Sequence, residues 1–392
     1  MTTENPLVAR VTALARDRFA GRAAGYDDAA EFPVADFDDL FAAGLNAPTV
    51  PVRYGGLGLG PLCRDTLPLW QLTAALAGTD LSLARCWEGH VNALMLIDAL
   101  GSEAQRAEWF EGVVGRGEKW VAWSGEPQAR KPGEAQRFGT TVRRSGDGWV
   151  VSGSKAFATS ATGADWAILL VNPAGPGGAR HLEGADGSLL MLACRLSHPS
   201  ISVDTSWWQP VGMRATASHV VRFDDTPVPD SCRIGQPGAY LREGWQTAFV
   251  PHYAASFLGA AEAAYGYARD YVRHQSRGAD PYVQQRIGTA AVSVETGHLW
   301  LAHVARLWDV GSVAEAGVAG SRARHLIEHL ALSTVDNCIR ACGARSLVRP
   351  SPVERILRDL SFYVRHDNDD HILATIGRGA LGLAHDLSFY KP

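Results

Sequence analysis

Residues 141–153 read TVRRSGDGWVVSG, two Val- and Trp-bearing runs separated by Gly146-Asp147. The tetrapeptide Ser145-Gly-Asp-Gly148 is a hairpin signal, because a short loop that needs positive φ favours glycine. Outward from this hairpin, Trp120–Ser124, Trp166–Val171, Ser188–Leu196 and His219–Phe223 also have strand-like composition and a period of two. Beyond them the period becomes helical. Leu7–Phe19, Phe37–Ala43, Leu67–Ala77 and Val91–Leu100 precede the strands, and Phe257–Val272, Tyr282–Trp308 and Ala323–Ala341 follow them. The chain therefore divides into a helical unit (1–115), a β unit (116–235) and a second helical unit (236–392). Pro173–Gly187, rich in Gly, Pro and Ala, is expected to be an excursion from the β unit.

Composition narrows the function classes. With 392 residues, 46% hydrophobic and 20% charged, the chain can bury a full core. A net charge of -4 and the absence of a Lys/Arg-rich run argue against nucleic acid or an anionic membrane as partner, so a small-molecule substrate is expected. The first helix carries mixed charge, and no 18-residue apolar run occurs, which suggests a cytoplasmic protein. Six cysteines without a CxxC pair indicate neither a zinc site nor a disulfide framework. Cys338 and Cys342, on one helix face, read as small core residues.

The densest polar cluster is His366-Asp-Asn-Asp-Asp-His371. It follows a helix entered through Pro350 and Pro352, in which Glu354, Arg355, Arg358 and Asp359 interleave with Ile356, Leu357, Leu360 and Phe362. A second amphipathic run, Ile372–Leu381, comes after it. The cluster is a candidate active-site loop; alternatively, Asp369 or Asp370 simply caps the last helix. No paired metal-ligand frame accompanies it, so no metal is expected. The loop Ala47–Gly60 contains Gly56-x-Gly58 without a βαβ context, and reads as a chain reversal near a ligand rather than a phosphate loop. Trp123, Trp207-Trp208 and Trp245 line either a pocket or the core.

Several segments, in order, resemble the acyl-CoA dehydrogenase superfamily over essentially the whole chain. They are Phe32-Pro33 with Gly44-Leu45, Val50-Pro51 and Tyr54–Gly58; Leu100–Gln105; Glu126-Pro127; Gly153–Ala161 with Ala164-Asp165; Val211–Ser218 with Phe223-Asp-Asp and Val228-Pro229; and Glu354-Arg355 with Arg358-Asp359. The resemblance implies an α+β, mainly α fold: an N-terminal helical domain, a middle antiparallel β-barrel domain and a C-terminal four-helix bundle. It also implies a homotetramer with flavin held between the β domain and the bundle. Phe157 would then be the aromatic wall, Thr159 the hydroxyl near flavin N5 and Ser124 the approach to the pyrimidine edge. Ser160 would also face the cofactor, Arg214 and Ser218 would lie towards its phosphate end, and Arg273 with Gln284 would reach the flavin of a neighbouring subunit. Ser276 and Arg277 depart from the family pattern there, which leaves FAD or FMN open.

Further departures concern the reaction. The family's catalytic glutamate position falls on Asp367, and two residues that grip acyl-CoA fall on Thr247 and Val250. The C-terminal third is more similar to the flavin-dependent monooxygenase branch, through Asp280-Pro281, Val283-Gln284, Ile287-Gly288, Gly343–Leu347 and His366. That likeness implies a two-component monooxygenase: a separate flavin reductase supplies reduced flavin, O2 is the oxidant, and a small organic substrate is oxygenated. His366, titrating near neutrality, would be the acid/base, oriented by Asp367. The alternatives are an FAD-containing acyl-CoA dehydrogenase with Asp367 as base and an electron-transfer flavoprotein as acceptor, or a non-catalytic flavin-binding member. His90, on a helix that faces the cleft in this fold, and Trp245 are candidate substrate contacts.

Overall fold

The computed structural model describes residues 5–127, 138–174 and 189–383. The N-terminal helices are α1 (Pro6–Leu14), α2 (Ala20–Ala29), α3 (Val34–Ala42), α4 (Thr66–Ala77), α5 (Leu81–Leu100) and α6 (Glu103–Arg116), with a π-helical turn over Ala15–Phe19 joining the first two. The strands are β1 (Trp120–Trp123), β2 (Thr141–Ser145), β3 (Gly148–Ala158), β4 (Trp166–Pro173), β5 (Leu190–Arg195), β6 (Ile201–Asp204), β7 (His219–Pro229) and β8 (Arg233–Ile234). The C-terminal helices are α7 (Ala239–Arg242), α8 (Trp245–His274), α9 (Pro281–Asp309), α10 (Val313–Cys342), α11 (Pro352–Tyr363) and α12 (Asp369–Ala380).

The β2–β3 hairpin forms where the sequence places it, with Ser145 opposite Gly148 and Gly146 at φ 60°. Strand order is β6-β7-β3-β2-β4-β5-β8, with β1 added alongside β4. The sheet stays open rather than closing into the expected barrel, and it is mixed: β1 and β2 each run parallel to β4. Strands β6 and β8 are short and half-polar, so their alternation is too brief to register in sequence. The expected excursion over 173–187 lies almost wholly outside the described residues.

Helix α6 carries a Ser102/Gln105 capping box, and the Gln105 amide also reaches the carbonyls of Ser231 and Arg233. One cap thus ties the N-terminal helices to the sheet. The loop 47–60 does reverse the chain, but its polar groups serve the fold: Thr49 Oγ1 donates to Val91 O, and a Cβ on Gly56 would lie 2.2 Å from Val50 O. Cys338 and Cys342 are free and buried, as expected of core residues. Among the described residues, no helix is long and apolar enough to cross a membrane.

The sheet meets the C-terminal bundle at Gly212-Met213. Met213 N donates to Asp359 Oδ1 at 2.6 Å, and the Arg358 guanidinium reaches Asp27 Oδ2 at 2.7 Å, so α11 is clamped between the β unit and α2. A Cβ on Gly212 would stand 2.2 Å from Arg358 O. Gly212→Ala is therefore expected to cost about 1–3 kcal/mol through overpacking, lowering the unfolding midpoint. Gly266→Ala, in open space within α8, is expected to leave it unchanged or raise it. Parallel thermal melts of the two variants check this.

Candidate active site

One side of the site is built by a bulge in β3. Pairing with β7 slips between Lys155 and Ala158, and the slip holds Phe157 at φ 50°. Such a backbone is costly for a bulky side chain and re-aims it. The Phe157 ring is 56% exposed and stands edge-on to Trp207 at 4.9 Å, with Trp208 at 6.2 Å. Beneath it, Lys155 Nζ is fully buried against Glu126 Oε1 at 2.6 Å and Leu170 O at 2.7 Å. Burial pulls its pKa down to about 8 against the pull of Glu126. Ala156 N donates to Gly125 O, so the segment containing Ser124 runs directly beside the bulge.

The hydroxyls expected near the cofactor also converge. Ser218 Oγ lies 3.1 Å from Thr159 Oγ1 and 2.7 Å from Thr216 Oγ1, while Trp123 Nε1 holds Thr159 O at 3.0 Å. Ser160, at φ 63°, is buried, with its N–H on Thr216 O. Arg214 lines a pocket with Phe32, Trp208 and His219. Its guanidinium grips Asp27 O and Asp28 O at the end of α2. Arg273 and Gln284 lie at the α8–α9 turn, where Arg273 faces Asp270 and the Gln284 amide donates to Gly278 O.

The other side of the site is the α11–α12 turn. The His366 ring packs against Tyr253 at 5.4 Å and Tyr363 at 5.8 Å, yet the residue remains exposed, so it is open to solvent or a ligand. The surrounding protein, with Arg85 and Arg324, pushes its pKa down to about 3. It is therefore neutral in the ligand-free protein, not titrating near neutrality as its residue type suggests. Asp367 does not orient it. The Asp367 carboxylate is held by Arg324 and accepts from Tyr253 Oη. Burial raises its pKa despite both partners.

Behind the histidine runs a buried polar chain that the sequence reading missed. Tyr363 Oη donates to Glu88, which also meets Arg85 at 3.3 Å and Asn92 Nδ2 at 3.1 Å. Asn92 Oδ1 contacts His252 Nδ1 at 2.8 Å, and His252 Nε2 contacts Thr73 Oγ1 at 2.7 Å. Burial raises Glu88, and burial together with the Glu88 charge raises Tyr363 well above the ordinary phenol value. The available signal was Glu88 itself, a carboxylate in the middle of the largely apolar α5. Arg324 and Glu328, four apart on α10, were equally visible as a charged pair on a helix face that proves to be buried.

Two candidate substrate contacts are placed elsewhere. His90 is buried, with Nε2 on Asn46 O at 2.7 Å and Nδ1 accepting from Trp120 N at 2.9 Å. Burial pushes its pKa down to about 4, so it is a neutral tie between α5 and β1 with no nitrogen left for a substrate. Trp245 packs between two core clusters and donates its indole N–H to Glu243. The capping residue of α12 is Asn368, rather than Asp369 or Asp370, and it accepts from His371 N.

The two sides of the site belong to one neighbourhood. Trp208, beside Phe157, meets Phe362 at 5.6 Å, and Phe362 lies one turn before His366. A flat exposed ring on a strained bulge, with hydroxyls and main chain beside it, fits a planar flavin: the ring gives an apolar wall, and the polar groups can bond its edge.

The comparisons with known proteins agree with this architecture. Family models described as the N-terminal, middle and C-terminal domains of acyl-CoA dehydrogenase match residues 2–116, 122–226 and 252–368. A Bacillus subtilis (strain 168) protein provisionally named acyl-CoA dehydrogenase YdbM is 26% identical, over 88% of each chain. The Pseudomonas putida protein named "Probable FMNH2-dependent monooxygenase SfnC" is 27% identical over 94% of each. FMN-bound TdsC from Paenibacillus sp. A11-2 superposes with a TM-score of 0.88 at 22% identity, covering 99% of this chain and all of that one, a likeness of fold. The chain belongs to the acyl-CoA dehydrogenase family.

Proposed function

We propose that this protein is the oxygenase of a two-component, flavin-dependent monooxygenase, acting on a small organic substrate with reduced FMN or FADH2 delivered by a separate flavin reductase. One observation carries the reading. The group presented to the cleft is a neutral imidazole, whereas the carboxylate at the dehydrogenase base position is withdrawn into Arg324 and Tyr253. A base that abstracts an α-proton must be free to reach it, and Asp367 is not. The relative named as FMNH2-dependent supports the same choice.

Phe157, Thr159, Ser218 and the main chain at Ser124-Gly125 would hold the flavin ring. Bound reduced flavin supplies two electrons for O2, so that one oxygen enters the substrate and the other leaves as water. The protein's own part is positional and protonic. Tyr253 and Tyr363 pack against His366 on the protein side and Phe257 packs against both tyrosines, which holds the ring in place while leaving it open to a ligand. Neutral His366 offers one N–H and one lone pair, so it can relay a proton from the substrate or a water to the oxygen that departs, giving one as it takes the other, rather than act as a strong base. The Tyr363–Glu88 bond fixes the phenol and thereby the His366 ring that meets it edge-on. Arg273 and Gln284, exposed and remote from Phe157 in sequence and in contacts, would serve the flavin of a neighbouring subunit in a homotetramer.

With a flavin reductase, reduced FMN and O2, oxygen incorporation into a turned-over substrate is expected to fall about 100-fold or more in His366→Ala, with reduced-flavin binding retained. An unchanged rate removes His366 from the mechanism. Anaerobic bleaching of bound flavin by a saturated acyl-CoA would refute the oxygenase reading. Phe157→Ala is expected to weaken reduced-FMN binding roughly tenfold in an anaerobic titration, the scale of one lost stacking contact. The sign of the pH effect follows from the depressed pKa of His366: its proton arrives only as pH falls towards about 3. Ring-carbon NMR of His366 is therefore expected to stay flat from roughly pH 5.5 to 8, across the range where an ordinary histidine titrates.

A further inference from the structure

Outside the flavin and histidine cleft, three ligand-type side chains meet where α10 passes the start of α12. His325 and His329 lie four apart on α10, one helical turn, with ring centroids 4.4 Å apart. Asp369 comes from the other helix. His325 Nδ1 is 3.0 Å from both Asp369 oxygens, and His329 Nε2 is 3.4 Å from Oδ2. All three donor atoms fall within 4.8 Å of one another. A tetrahedral ion with bonds of about 2.0–2.2 Å to nitrogen and carboxylate oxygen needs donors roughly 3–3.5 Å apart, so only the histidine rings would need to shift.

Two further features favour a cation here. Arg324 holds Asp369 Oδ1 at 2.7 Å, which fixes the carboxylate and turns Oδ2 towards both imidazoles. An outer partner of this kind orients a metal ligand. The local charge is also unbalanced. Arg324 and Arg365 face three carboxylates, Glu328, Asp367 and Asp369. Burial alone would raise the Asp369 pKa, but His325, Arg324 and His329 outweigh it and hold it below the ordinary value. The carboxylate is thus ionised at neutral pH. His325 is half-buried and His329 exposed, so the site opens to solvent and leaves a fourth position for water.

From this geometry we infer that His325, His329 and Asp369 form a site for one divalent transition-metal ion of the zinc, cobalt or nickel class. Two imidazoles and one carboxylate select these ions over magnesium and calcium, which prefer all-oxygen shells. Occupancy ties α12 to α10, on the far side of Arg324 from Asp367. The inference does not depend on the flavin reading, since none of the three ligands is a residue proposed to act on flavin or substrate.

The test is a Co2+ titration of the untagged, chelator-treated full chain, followed by the visible absorption of the ion and by competition with Zn2+. One Co2+ per chain, displaced by Zn2+, is expected, together with a rise of several degrees in the thermal midpoint in saturating Zn2+. His329→Ala, a change at an exposed side chain, should weaken binding at least tenfold and abolish the rise. Asp369→Asn should do the same, while His303→Ala, elsewhere on the surface, should change neither. Absence of stoichiometric binding up to millimolar Co2+, or binding that survives both His325→Ala and His329→Ala, overturns the inference.

Discussion

A single buried guanidinium sets the geometry of the C-terminal half. Arg324 has no exposed side-chain surface and bonds Asp367, Glu328, Asp369 and the carbonyl of Val364. Burial disfavours its charge, but Asp367, Tyr253 and Glu328 more than compensate, and its pKa rises. Removing one partner of such a group leaves a charge stranded, a loss of roughly 3–5 kcal/mol. The α11–α12 turn cannot move without breaking several of these bonds together. Where His366 sits is therefore decided on α10, more than forty residues earlier in the chain.

The same guanidinium acts oppositely on its two aspartates. Asp367 lies deeper, so desolvation wins and its pKa rises, while Asp369 nears the surface and gains two imidazoles, so its pKa falls. Identical side chains two positions apart are thus set to different tasks, one a positioning strut and the other an anionic ligand. On the β side Lys155 has a comparable part. Its pair with Glu126 presses β3 against the segment after β1, and the strained residue Phe157 projects from that anchored base.

Much of the fold was legible because helix and strand periods differ, and each long helix of the C-terminal half repeats its apolar stripe several times. The short strands β6 and β8 and helices α2 and α6 lacked that repetition. Sheet closure was not legible at all, since it depends on edges meeting in space. At the site, Phe157, Thr159 and His366 were readable from local sequence frames. The electrostatics of His366 were not: it looked like a neutral-pH titrant, and only the surrounding protein, with the charges of Arg85 and Arg324, holds its pKa down. Glu88, Tyr253 and Arg324 come from separate helices, so no spacing in the sequence joins them. His90 misled for the same reason, because its two backbone partners belong to a loop and a strand distant in sequence.

The exposed Phe157 ring has a kinetic corollary. An aromatic face left wet without its ligand gives up burial free energy of the order of 25 cal/mol per Å2 of apolar area, energy that a resident cofactor would recover permanently. A protein that receives its flavin from another enzyme and releases it after each cycle recovers that energy only transiently. The bulge at β3 keeps the wall in place whether or not it is covered, through backbone geometry and the Lys155–Glu126 anchor. Were a flavin to land on it, this surface would need no rearrangement at each arrival, and residence time would be governed by how readily the flavin leaves.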